Sequence, residues 1–372
     1  MGNHGQTTIA EAFAALVGPQ VGDENIDLVR AALTIARTEY PDLDIESYVS
    51  RVDELARLAE ASISDVGDVV ETIAALNHAL FEEAGLPPGV FSVVNGGAEV
   101  GEALVEARGV RMITFTGSTA VGRRVGELGG KHLKRVALEL GGKSPFIVLE
   151  DADLEAAASA GAWGSFLHQG QICMASGRHI VVRQVLEDYL SILKRKAEAL
   201  PVGDPYRQQV AIGPIINPKQ LQRIDKIVKD SVAAGAGLLA GGTHDGPYYR
   251  PTVLRDVRPG MPAYELEIFG PVAPVIVAQD EDDAVRIAND TDYGLSGAVQ
   301  TGSLERGLRV AAKVRSGLMH VNDQTIHDFA GIPFGGCGAS GNGSRFGSMN
   351  NWEEFTEWRW MTVGSTQVRY PF

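Results

Sequence analysis

Up to residue 85 the apolar positions recur at helical spacing. In IDLVRAALTIARTEY, Ile26, Val29, Leu33, Ile35 and Ala36 fall near a 3.6-residue period, and the stretch stops before Pro41. DLDIESYVSRVDELARLAE repeats the pattern. DVVETIAALNHALFEEAG closes at Gly85 with Pro87 and Pro88 beyond it, the order of a helix stop. These residues predict helices without strands, either a small bundle or a cap on something else.

From Gly85 onward short apolar runs alternate with amphipathic ones. VFSVVNG (90–96), VRMITFTG (110–117), KRVALELG (134–141) and PFIVLED (145–151) read as buried strands. LEAAASAGAWGSFLHQ (154–169) reads as a helix, HIVVRQ as a strand, and VLEDYLSILKRKAEAL and PKQLQRIDKIVKDSVAAG as helices. VAPVIVAQ, LSGAVQT and GLMHVN are further strands, separated by helices in DDAVRIAND and LERGLRVAAKV. The alternation predicts an α/β fold with largely parallel sheets.

Composition narrows the function classes. At 372 residues, two or three domains are expected. The 44% hydrophobic content and 44 glycines suit a soluble globular protein. No apolar run approaches the ~18 residues of a membrane span, and MGNHGQTTIAEAF lacks the basic start and apolar core of a signal peptide. Two cysteines make no disulfide framework and fit a cytoplasmic location. A net charge of −14 argues against nucleic-acid binding. That charge is concentrated: residues 1–85 hold 16 acids against 4 arginines and no lysine, while the remainder is nearly balanced. Such a break often separates segments of different origin.

Cys173, in HQGQICMASGR, is a candidate nucleophile, a candidate metal ligand or a small buried residue. Three patterns nearby mislead. GGCGASG (335–341) has GxGxxG spacing, but no strand leads into it and no helix follows, so it reads as an irregular loop. GGKSP (141–145) ends like a P-loop yet lacks the earlier glycine, and Pro145 would spoil the following helix. None of the eight histidines has metal-ligand spacing, so no metal site is expected. Three other stretches are ambiguous singly. TFTGSTAVGRRVGELGG places Gly117 and Ser118 between a strand and a helix, where serine is either a cap or part of a phosphate turn. Glu139 lies inside an apolar strand, and Glu267 and Phe269 precede another.

Together, FTGSTAVGR, LELGGKSPFIVLEDADLEAA, GQICMASGR, EIFGPVAPV and IPFGG stand in the order and approximate spacing of the aldehyde dehydrogenase superfamily. From about Gly85 to the C-terminus the chain resembles that family nearly continuously. FLHQGQICMASGRHIVV and VNDQTIHDFAGIPFGGCGASGNGSRFGS look most like its benzaldehyde and vanillin dehydrogenase branch.

The resemblance implies roles. Cys173 matches the nucleophile that attacks an aldehyde carbonyl, giving a thiohemiacetal and, after hydride transfer to a nicotinamide, a thioester. Glu139 matches the base that activates water to hydrolyse it. A soft nucleophile that also leaves well and a carboxylate tuned by burial suit these tasks. Gly117, Ser118 and Gly122 match a pyrophosphate turn, and Leu140 follows the base along the cofactor path. Glu267 and Phe269 match the pair holding the nicotinamide ribose and ring, and Phe334 a substrate-tunnel wall. Cys337 matches nothing catalytic and reads as structural. The implied cofactor is NAD, with NADP an open alternative, and the implied substrate a small aromatic aldehyde.

Intact members of the family are longer at the N-terminal side. The part not matched carries strands of the cofactor domain and a Pro-Trp-Asn segment whose asparagine stabilises the oxyanion. Loss of one such donor typically costs on the order of 100- to 1000-fold in rate. Residues 24–85 instead resemble the N-terminal helical region of SirB1-like, transglutaminase-related proteins, with the join expected within LFEEAGLPPG. The expected organisation is thus an acidic helical segment (1–85), a partial Rossmann-type cofactor domain (86–142), a complete α/β catalytic domain (143–338) and a C-terminal segment (339–372). Within that last segment EWRWMTVGSTQVRY resembles an assembly strand, implying a homo-oligomer weakened by absence of its partner hairpin. Three readings follow: an NAD(P)-dependent aldehyde dehydrogenase, an impaired remnant acting as an interaction protein or weak esterase, and a Cys–His hydrolase using His168 or His327.

Overall fold

The structure, a computed structural model, describes residues 30, 44–50, 53, 54, 57, 92, 94–347, 349–364 and 371. The chain divides into two compact units, residues 1–101 and residues 102–372. In the first unit residues 45–50 are helical, as DLDIESYVS predicts. The Asp44 side chain accepts from the Ser47 N–H at 3.3 Å, Val49 is buried, and Arg30 pairs with Glu46. Most of the first expected helix, all of the third, and so most of the SirB1-like resemblance lie outside the described residues. Of the expected strand 90–96, residues 92 and 94–96 are described and are not strand. An apolar run becomes a strand only where a neighbour takes its backbone hydrogen bonds.

Helix α1 (Ala98–Glu106) contains the division between the units. A small parallel sheet follows, β1 (Met112–Thr116) beside β2 (Arg135–Glu139), joined through α2 (Thr119–Lys131). Val105, Val125, Leu128, Leu138 and Leu140 form its core. The helix lies close because it presents glycine to the strand: a Cβ on Gly122 would meet Leu140 Cδ2 at 2.3 Å.

The rest builds around one seven-stranded sheet. In chain order its elements are β3 (Ser144–Val148), α3 (Leu154–Phe166), β4 (Ser176–Val182), α4 (Leu186–Ala199), α5 (Pro218–Ala233) and β5 (Gly237–Ala240). Then come a hairpin of β6 (His244–Asp245) and β7 (Tyr248–Tyr249), β8 (Thr252–Arg255), α6 (Pro262–Glu265), β9 (Val272–Ala278), α7 (Glu281–Asn289), β10 (Ala298–Gln300), α8 (Leu304–Ala311), β11 (His320–Val321) and α9 (Asn350–Phe355). The strand order is β11-β10-β3-β4-β9-β8-β5, and every pair is parallel except β5 with β8.

Both faces of this sheet are buried, which is why its strands read as unbroken apolar runs. Ile147, Ile180 and Ile276 point to a core closed by Ile224, Ile227 and Val228 of α5 and by Ala284 and Ile287 of α7. Phe146, Val148 and Val181 point the other way, onto Ala158 and Phe166 of α3 and Tyr189, Leu190 and Leu193 of α4. Each fully buried side chain of this kind contributes about 1.5–3 kcal/mol of hydrophobic stabilisation. The protein is therefore an α/β molecule built on a largely parallel sheet, as the alternation of elements predicts. Among the described residues no helix is long and apolar enough to cross a membrane.

Candidate functional site

The cysteine turn is set by a sharp reversal after α3. The sequence predicts helix through Gln169, but the helix ends at Phe166, and His168, Gln169 and Gly170 all take left-handed conformations (φ 49°, 59° and 64°). At Gly170 only glycine fits, since a Cβ would lie 2.2 Å from the Gly270 carbonyl oxygen. Consecutive left-handed residues cannot continue a right-handed helix, so the apolar pattern overran the helix end. Cys173 follows, half-buried, in a turn closed by the Ala175 N–H donating to Ile172 O at 3.0 Å. Just beyond it, Ser176 Oγ and Thr325 Oγ1 share a hydrogen bond of 2.9 Å.

Glu139 is the last residue of β2, and the chain runs from it through Leu140 and Gly141 to Gly142. Gly142 brings the two halves of the site together: a Cβ there would sit 2.4 Å from the Cys173 carbonyl oxygen. Its N–H donates to Glu267 Oε1 at 2.9 Å. Cys173, Glu139 and Glu267, far apart in the chain, thus converge on the turn after β2.

The electrostatics follow from burial. Glu139 is 7% exposed, and neither carboxylate oxygen has a hydrogen-bond partner. Burial pushes its carboxyl up to about 7, with Asp328 adding to the rise. The Gly336 amide, which satisfies neither oxygen, and the Arg345 charge hold it back. Burial, then the negative charges of Glu139 and Glu267, push the Cys173 thiol up to about 11, against the nearby amides of Met174 and Cys173. Burial also raises Glu267, opposed by the Gly142 amide and by Arg223 and Lys143.

Glu267 and Phe269 lie on a segment fastened by α5. Phe269 has a left-handed φ of 54°, a conformation a bulky residue keeps only when its surroundings impose it. The Gln220 amide donates to Phe269 O at 2.8 Å and to Ile268 O at 3.2 Å, and Arg223 Nη1 donates to Ile268 O at 2.8 Å. Phe334 stands further along, paired antiparallel with Phe346 by hydrogen bonds of 2.6 and 2.8 Å.

On the other side of β2, the Gly117 N–H donates to Glu139 O at 3.1 Å, so the strand-to-helix turn adjoins Glu139. Ser118 is the N-cap of α2, its hydroxyl accepting from the Val121 N–H at 3.4 Å. The Gly122 N–H donates to Ser118 O at 2.8 Å and a Cβ on Gly122 would meet Leu140, so this glycine lets the helix pack onto the strand.

The glycine-rich loop dismissed as a phosphate motif lies against β2. Gly341 bridges to Glu139, the Leu140 N–H donates to Ser340 O at 3.0 Å, and Thr119 Oγ1 donates to Ala339 O at 2.8 Å. Cys337 in this loop donates to Gly294 O at 3.4 Å. Lys143, set aside as a false P-loop lysine, is buried and donates to Ala263 O at 2.8 Å and Gly177 O at 3.2 Å. Gly142, Gln220, Arg223, Asp328 and Arg345 were not legible as site residues, because each acts through contacts distant in sequence. Among the described residues no cluster of three or more His, Cys, Asp or Glu side chains can hold a metal.

Comparison with known proteins gives the family. The sequence model of the "Aldehyde dehydrogenase family" matches residues 68–361, and the chain belongs to that family. The match begins upstream of Gly85, so it also takes in residues 68–85. The vanillin dehydrogenase of an Amycolatopsis species is 53% identical over 294 residues, covering 79% of this chain and 60% of that protein. Benzaldehyde dehydrogenase [NAD(+)] of Pseudomonas putida is 49% identical over 298 residues, 80% of this chain and 61% of its own length. The crystal structure of a salicylaldehyde dehydrogenase from Pseudomonas putida G7 complexed with salicylaldehyde superposes with a TM-score of 0.77 at 40% identity, covering 81% of this chain and 63% of that one. The chain therefore spans about 60% of the length of the curated relatives it matches.

Proposed function

We propose that this chain oxidises an aromatic aldehyde to the carboxylic acid, with Cys173 as nucleophile, Glu139 as general base and NAD as hydride acceptor. The observation that carries the proposal is the Glu139 carboxylate, buried with both oxygens unpaired and three residues before Gly142, the glycine that packs against the Cys173 carbonyl. A desolvated carboxylate in a structural role would be paired; an unpaired one is poised to take a proton.

Near neutral pH the thiol is protonated and Glu139 is close to half-ionised. Attack on a carbonyl passes the thiol proton to the Glu139 carboxylate. That proton passes on to solvent, and once an acyl group is on sulfur, Cys173 bears no charge and the re-ionised carboxylate removes a proton from water aimed at the thioester. The thiolate then departs and recovers a proton. The turn around Gly142 holds base and nucleophile in one relative position through these steps.

The residues present fit the nicotinamide end of NAD. Gly117 and the α2 N-terminus adjoin Glu139 O, and Glu267, held by the Gly142 amide, faces the same turn. These residues would hold the group, and its chemistry there is acceptance of the hydride. Relatives named as NAD(+)-dependent, and a Mycobacterium tuberculosis aldehyde dehydrogenase complexed with NAD+, support this reading. A second reading also has its observation: among the described residues the sheet beside α2 has only two strands. That favours an enzyme with weakened cofactor affinity, in which cofactor-independent ester cleavage by Cys173 outlasts aldehyde oxidation.

The test is a pair of assays on the purified chain. With p-nitrophenyl acetate, a burst of nitrophenolate should be lost in Cys173→Ala. In Glu139→Gln the burst should slow but keep its amplitude, while steady turnover falls about 10²- to 10⁴-fold. With benzaldehyde and NAD, absorbance at 340 nm should rise and both variants should abolish the rise. A burst retained in Cys173→Ala overturns the proposal, and a burst without NADH formation selects the second reading.

A further inference from the structure

Glu139 has charged neighbours on three other segments. Cys173 lies on the turn after α3, exposed Asp328 on the segment following β11, and Arg345 on the chain beyond the glycine-rich loop. Glu267 stands behind Gly142 and reaches the same thiol. Arg345 is the cation among those acting on Glu139.

Its geometry is specific. Arg345 is half-buried, and Nη1 donates to Gly336 O at 3.0 Å and to Ser344 O at 2.9 Å. The side chain packs against Gly335, where a Cβ would meet Nη1 at 2.8 Å and Cδ at 2.9 Å. The loop it fastens is the one bridged to Glu139 through Gly341, and it rides so close that a Cβ on Gly341 would lie 2.7 Å from Leu138 O. Arg345 therefore holds the far side of the loop whose near side covers the base.

We propose that Arg345 is the positioning residue for Glu139: it fixes the Gly335–Gly341 loop over the base and supplies the positive charge that favours its carboxylate, with Asp328 opposing it. The inference deepens the proposed function, resting on Glu139 as the base, but its own readout is separate. The unpaired oxygens of Glu139 explain why a remote cation matters here. With no hydrogen bond to fix its ionisation, the balance passes to burial and to the charges around it.

The experiment follows the 13C resonance of the Glu139 side-chain carboxyl in glutamate-labelled protein, assigned by its loss in Glu139→Gln, as pH is raised. The wild-type midpoint should lie near 7. Arg345→Gln should raise it by about 0.5–1 unit, Arg345→Lys should restore most of that, and Asp328→Asn should lower it. The pH profile of acyl-enzyme hydrolysis should move with each midpoint. An unchanged midpoint in Arg345→Gln overturns the inference. Should that variant fail to fold, an unmoved midpoint in Asp328→Asn together with a raised one in Arg345→Lys does the same. Shifted midpoints without any Cys173-dependent burst would sink the proposed function and leave the charge assignment standing.

Discussion

Gly142→Ala inserts one methyl group where the structure has no room for it. The new Cβ would lie 2.4 Å from Cys173 O and 3.3 Å from Leu295 Cβ. An ordinary contact needs about 3.4 Å or more, so one backbone must retreat by about 1 Å, and neither side yields freely. Gly142 is tied to Glu267 by its N–H, and the cysteine turn is tied by the Ala175 and Ser176 bonds. Overpacking of this kind costs about 1–3 kcal/mol of stability. A misplacement of about 1 Å at a reacting atom costs roughly 100-fold in rate. The assay is the burst rate with p-nitrophenyl acetate in stopped flow, beside the rate of Cys173 alkylation by iodoacetamide and a thermal melt. Gly126→Ala is the control, because its Cβ would meet only Leu138 Cδ1, at 3.6 Å, and alanine favours the helix. Acylation and alkylation within twofold of wild type in folded Gly142→Ala would refute the reasoning.

Two further outcomes depend on pH. His179 is fully buried between Ser165 Oγ and Tyr189 Oη, at 2.7 Å each, and burial pushes its ring down to about 3. The unfolded chain binds a proton near pH 6.5 that the native state refuses, so stability is lost as pH falls below that value, by about 2–3 kcal/mol at pH 4.5. Urea unfolding of wild type and His179→Gln across pH 4.5–8 checks this, and parallel pH curves would contradict it. Glu139 has the opposite sign: its folded value is raised to about 7, so the native state keeps a proton that the unfolded chain has released above about 4.5. Its contribution falls as pH rises from 4.5 to 7, and Glu139→Gln should gain stability relative to wild type over that window. A difference independent of pH would rule out a buried, unpaired carboxylate.

Much of the fold was legible because of how its sheet is buried. PFIVLED and VAPVIVAQ carry apolar residues on both alternations, which only a strand covered on both faces needs, and they became β3 and β9. The helices read from Leu154, Pro218 and Leu304 start there in the structure, capped by Asp153, Asn217 and Ser303. Glu139 was visible as a carboxylate inside an apolar strand and Cys173 as one of two cysteines, and the family motifs supplied their pairing. What failed was local: the helix into His168 overran because nothing in FLHQG announces three left-handed residues.

By itself the sequence determined the elements, their alternation and the chemistry at hand, since apolar period, caps and residue type are properties of short stretches. Tertiary structure alone decided which residues share a site. Gly142 meets Cys173 because β2 ends where the cysteine turn passes, and Arg345 is tied to the loop bridged to Glu139 because that loop, which resembles a phosphate motif, lies along β2 instead. The ionisation of Glu139 has the same origin. A carboxyl rises to about 7 only when folding removes water from both its oxygens and gives them no partner, and no stretch of sequence records that.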